Sequence, residues 1–258
     1  MRIIRWFIIA FSTYSRIPMA RIKWKEGDSA YSLLFFPFVG VSIGLLLFLI
    51  NGIAPLCDLP DLVRILLTLW IPLAVTGGIH VDGFMDTEDA LRSYADPAKK
   101  LEILKDPHIG AFAVIGLVKH YLLLAAGISV ILCCFPSDQR ILLLLCLIFV
   151  MSRCLSGLTS IYFRKAKKDG MLYASAAKTP GVVSAALILQ LLLCASFMVW
   201  SRPVSGLAVL LTFAVITVFY RHMAYGNFDG VTGDTAGYYL TVSETAAVLA
   251  LAAASFIC

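Results

Sequence analysis

Charge is what this 258-residue chain has least of. Charged residues make up 14% of it, where soluble domains carry about 25%. Too few polar groups remain to cover a water-facing surface, which excludes an ordinary cytosolic enzyme, a disordered protein and a nucleic-acid-binding module. The net charge of +5 does not reverse this, because cationic loops on a membrane protein set topology. No CxxC pair occurs among the seven cysteines, and most of them lie in apolar runs. That argues against a disulfide framework or a thiolate metal site and for small buried hydrophobes. Internal repeats, low-complexity tracts and linkers are also missing, so residues 1–258 read as one domain.

What the chain has instead is apolar length. Hydrophobic residues reach 60% and the mean hydropathy is +0.89. A membrane helix needs about 20 mostly apolar residues. Seven stretches qualify: 33–53, 62–78, 109–135, 141–162, 182–200, 204–220 and 236–257, the second short and the last carrying Glu244. The expected fold is therefore all-α, a polytopic membrane helix bundle of about seven spans. Residues 2–18 are too short in apolar core to cross, and Trp6, Phe7, Ile8 and Ile9 flanked by Arg2, Arg5 and Arg16 predict an interfacial helix. With this layout residues 1–32, 79–108, 163–181 and 221–235 share one side. They hold all the Lys and Arg except Arg64, Arg140 and Arg202 on the other side and Lys119 and Arg153 within spans. Such a bias predicts a cytoplasmic N-terminus and cytoplasmic loops.

The acidic residues are also unevenly placed. Asp82, Asp86, Glu88, Asp89, Asp96, Glu102 and Asp106 crowd one cytoplasmic segment. Asp82, Asp86 and Asp89 have spacing i, i+4, i+7, which puts three carboxylates within about 60° on one helix face. Like charges so placed repel, and a hard divalent cation such as Mg²⁺ removes the repulsion while leaving positions open for phosphate. The bland alternative is a solvated acidic helix start that complements the helix dipole. Gly77, Gly78 and Gly83 would let backbone approach a ligand. His80 is a candidate phosphate contact or acid/base group, against a structural role. Lys105 is a candidate for neutralising phosphate, against a topogenic one. Arg153 lies in an apolar run, where a charge is costly enough to need a partner or a function. Thr232 and Asp234, among small residues at a helix start, suggest an anion or metal site, against simple capping.

These blocks resemble, in order from residue 16 to 244, the cobalamin synthase family. Residues 77–89 are similar to its GG-x-H-x-DG-x-x-D-x-x-D signature. Arg16-Ile17-Pro18, Pro37 with Gly40, residues 101–106 with Ile109-Gly110, Ser152-Arg153, and Thr232-Gly233-Asp234 with Gly237 and Glu244 resemble weaker blocks. The chain departs from the pattern at Ala90, where Gly is usual, at Pro107-His108, where Ser-Arg is usual, and at 226–230. The resemblance implies an enzyme of the bacterial cytoplasmic (inner) membrane. It would join adenosylcobinamide-GDP to α-ribazole or its 5′-phosphate and release GMP, with Mg²⁺ as cofactor and either one chain or a homo-oligomer as the unit. It further implies Mg²⁺ ligation by Asp82, Asp86 and Asp89, and Asp89 or else Asp106 as general base. His80, Gly83, Lys105, Arg153, Thr232 and Asp234 would contact substrate. Two other readings compete. One is a CDP-alcohol phosphotransferase, whose D-G-x2-A-R then G-x3-D-x3-D spacing is absent here. The other is a seven-span transporter, which would place its charges near the midplane.

Overall fold

A computed structural model describes residues 2–25, 27–166, 172–173, 179 and 181–257. Lys167, Lys168 and Lys178 of the basic loop lie outside the described residues. Among those described there are eleven α-helices. They are α1 (Arg2–Tyr14), α2 (Asp28–Ser32), α3 (Phe36–Ile53), α4 (Asp61–Thr76), α5 (Ile79–Arg92) and α6 (Pro97–Ile103), followed by α7 (Ala111–Ser129), α8 (Gln139–Tyr162), α9 (Gly181–Ser201), α10 (Pro203–Phe228) and α11 (Gly233–Ala254). Six helical stretches are long and apolar enough to cross a membrane, and α4 joined to α5 makes a seventh candidate bent by 93°. All seven expected spans therefore fall on helices.

Polar residues set the helix ends. The Asp138 carboxylate accepts from Arg140 N and Ile141 N at the start of α8. Asp96 caps α6 through Lys99 N. Such caps satisfy backbone donors that have no partner inside the helix. Gly77 and Gly78 both take positive φ, 65° and 82°, a conformation nearly free for glycine and costly for other residues. They end α4 and swing α5 away, which produces the 93° bend between the two helices. One boundary differs from expectation. α10 runs on to Phe228, past Tyr220, because polar Arg221, His222 and Asn227 continue a helix as readily as apolar residues do.

α8 is the central helix. Leu144, Leu145, Ile148 and Cys154 on it are fully buried against α3, α9 and α11. The outer faces of α7, α9 and α10 expose Leu122, Leu193 and Leu211. Exposed apolar faces on several adjacent helices are what a bilayer covers. α1 is held down rather than loose: Arg5 pairs with Asp28 at 2.6 Å, Trp6 stacks on Tyr31 at 4.2 Å, and Ile9, Ala10 and Phe11 are buried. At the same end of the bundle, Arg16 N donates to Val75 O, Lys100 Nζ to Asn227, and Arg164 Nε to Asp229 O. The N-terminal segment, α5, α6 and the start of α11 thus meet on one side, as the charge pattern requires.

Candidate active site

α5 carries the acidic face and α11 brings it a fourth carboxylate. The two helices cross at glycines. A Cβ on Gly83 would stand 2.8 Å from Asp234 Cα and O, and one on Gly237 would stand 2.8 Å from His80 O. No other residue permits this approach, and its effect is to set Asp234 beside Asp82 and Asp86. Burial, and then the charges of Asp82, Asp234 and Asp89, push the half-buried Asp86 carboxyl up to about 6. Asp82, in the first turn of α5, faces the helix dipole.

Asp89 is occupied differently from expectation. Its two oxygens accept from Gly110 N at 2.7 Å and Ala113 N at 2.8 Å, so it caps α7 across space. It stays near enough to act on Asp86 by charge, yet neither oxygen is free of the cap. Asp106 sits beyond α6 and is exposed. The backbone N–H of His108, and then its ring, hold the Asp106 carboxyl below the usual range, at 2.9 and 2.6 Å. Lys105 is exposed beside it. Among the described residues no three His, Cys, Asp or Glu side chains stand close enough, as placed, to hold one ion.

Thr232 is the N-cap of α11, in a reciprocal capping box with Thr235. Its hydroxyl serves the helix, which is the bland reading of that residue. Arg153 is 1% exposed and donates to Glu244 at 2.6 Å and to Phe149 O at 2.8 Å. Ser152 Oγ donates to the same Glu244 oxygen at 2.7 Å. This pairing ties α8 to α11 and occupies the guanidinium that the resemblance assigns to substrate. His80 is half-buried, its ring 5.8 Å from that of Phe36, and its buried Nε2 has no hydrogen-bond partner among the described residues.

Two spaces meet at Asp82. A chamber of about 240 Å³ is lined by Tyr14, Phe36, Ile79, Asp82, Asp234 and Leu240, among others. An open groove of about 690 Å³ runs along Ser12, Arg16, Gly77, Asp82 and Met85. The Arg16 side chain lies across Gly77, where a Cβ would collide with it. Two carboxylates from separate helices with a third beside them offer hard oxygen donors to a cation, and the arginine across the groove offers positive charge to a phosphate.

The family model for cobalamin-5-phosphate synthase matches residues 6–252. The chain belongs to that family. A protein of Lachnoclostridium phytofermentans named adenosylcobinamide-GDP ribazoletransferase is 36% identical over 244 residues, covering 94% of this chain and 91% of that one. Proteins of the same name from Acinetobacter baumannii and Clostridium perfringens are 32% and 30% identical, each over at least 93% of both chains. No solved structure matches. Within this cobalamin synthase chain, two placements lay beyond sequence reasoning. Asp234 was a candidate for an anion or metal site and for substrate contact but not a member of the acidic face, and Arg16 appeared only as a charge flanking the N-terminal helix and within a weak motif. Spacing along one helix carries no signal for either, because both arrive through contacts 60 or more residues away in sequence.

Proposed function

We propose that this protein is the membrane enzyme that joins adenosylcobinamide-GDP to α-ribazole or its 5′-phosphate. A ribose hydroxyl attacks the phosphorus borne by cobinamide. The new P–O bond forms as the bond to the bridging oxygen breaks, and GMP leaves with that oxygen. The observation that carries this reading is the meeting of Asp82 and Asp234 from two helices beside Asp86, in a chain of this family.

The donor set is all hard oxygen, and burial together with the neighbouring carboxylates raises the Asp86 carboxyl. That chemistry fits Mg²⁺, which is commonly held by one or two carboxylates together with substrate phosphates. Asp82 and Asp234 are the residues assigned to hold it, and Asp89 is set aside because it caps α7. When bound, the ion neutralises the diphosphate and the departing GMP. Asp86, the neighbouring carboxylate not assigned to the ion, takes the hydroxyl proton. Arg16 supplies positive charge from the groove side, and Lys105 supplies it from solvent. The bias of Lys and Arg toward these loops supports a site on the cytosolic face of the bacterial inner membrane.

The test uses the full chain in lipid nanodiscs with adenosylcobinamide-GDP, α-ribazole and Mg²⁺, reading GMP and cobamide. Asp82→Asn should abolish Mg²⁺-dependent product, and Asp86→Asn should lower kcat by about 10²–10⁴. Normal Mg²⁺-dependent turnover by Asp82→Asn would defeat the metal assignment.

A further inference from the structure

The chamber and the groove differ in a way that assigns the two substrates. The chamber is small, and apart from Asp82 and Asp234 its walls are apolar or uncharged. Tyr14 and Phe36 present paired rings with centroids 4.3 Å apart, and Leu240 and Ala236 close the α11 side. Small-molecule pockets run to about 300–1,000 Å³. At about 240 Å³ this one admits a bicyclic aromatic ring and excludes a corrinoid macrocycle. The groove is nearly three times larger, open, and crossed by Arg16. Asp82 and Ile79 line both spaces.

We propose that the chamber bounded by Tyr14, Phe36, Ala236 and Leu240 takes the apolar heteroaromatic base of the riboside, while the diphosphate-bearing corrinoid occupies the Arg16 groove. The assignment rests on the proposed function and adds to it which substrate enters where. An aromatic base in an aromatic-walled chamber loses contact with water and gains offset ring contacts. Its ribose is then left at the mouth, between Asp82 and Asp234, with Asp86 alongside. The hydroxyl is held next to the groove where the phosphorus lies, so attack becomes effectively intramolecular. The same division explains why the chamber need carry no positive charge: the phosphates never enter it.

The experiment fills and then enlarges the chamber in the full chain in nanodiscs, with the KM of each substrate measured separately. Ala236→Phe adds a ring at the chamber wall. It should raise KM for α-ribazole by about tenfold or more and leave KM for adenosylcobinamide-GDP within about twofold, since pocket steric changes discriminate by factors of 10–200. Leu240→Ala opens space and should shift kcat/KM about tenfold toward a riboside with a tricyclic base. The Leu240→Ala selectivity ratio decides the matter if Ala236→Phe does not fold. A rise confined to the adenosylcobinamide-GDP KM overturns the assignment. So does an unchanged pair of KM values with unchanged base selectivity, the result expected if the chamber instead holds a lipid chain. Failure of the functional reading itself looks different: the unsubstituted protein would then release no GMP at all.

Discussion

Removing Glu244 should damage this protein more than removing any exposed carboxylate. Its Oε1 accepts from Arg153 Nη1 at 2.6 Å and Ser152 Oγ at 2.7 Å, and the Arg153 side chain is 1% exposed. Glu244→Ala leaves that guanidinium buried with Phe149 O and Ser152 Oγ as its recorded partners. Breaking a buried pair in this way costs about 3–5 kcal/mol. Glu244→Gln keeps an acceptor oxygen and loses the charge. The guanidinium still donates as a cation but loses its counter-charge, so a loss smaller than that of Glu244→Ala is expected. The double variant Arg153→Met with Glu244→Leu replaces the pair by apolar side chains and should lie near the unsubstituted stability. The assay is reversible unfolding in mixed micelles of dodecylmaltoside and SDS, run as a double-mutant cycle, with substrate KM values measured beside it. Two results would refute the reasoning: single effects that simply add, or a stable double variant whose affinity for adenosylcobinamide-GDP is lost. The second would return Arg153 to the substrate.

Two further predictions concern how the site is assembled. Gly83→Ala puts a methyl 2.8 Å from the Asp234 backbone; overpacking of this kind costs about 1–3 kcal/mol, and the displaced Asp234 should show as a higher Mg²⁺ requirement in the GMP-release assay. Asp89→Ala uncaps α7 at Gly110 and Ala113; it should lower stability by about 0.5–2 kcal/mol while leaving the Mg²⁺ concentration at half-maximal rate close to normal. A large shift in that concentration with unchanged stability would put Asp89 back among the metal ligands.

How much of this was readable beforehand varies residue by residue. The α5 face was legible because helix geometry alone places Asp82, Asp86 and Asp89 together. What each carboxylate then does was not, because Asp89 finds its partners on α7 and Asp86 owes part of its raised pKa to Asp234 on α11. Thr232 was legible as a cap from local chemistry. Arg153 was legible as a charge in need of a partner, since lipid tolerates none unpaired, but Glu244 is 91 residues away and no spacing rule connects them.

The sequence by itself determined the helical membrane architecture and the family. Each follows from composition, run length or motif order, which survive without knowledge of contacts. Only the tertiary structure decided which acidic groups face one another, which charge is buried in a pair, and that a small chamber adjoins a larger, open groove at Asp82. Those depend on the closeness of α5 and α11 at Gly83 and Gly237, where the absence of two side chains sets the distance between helices.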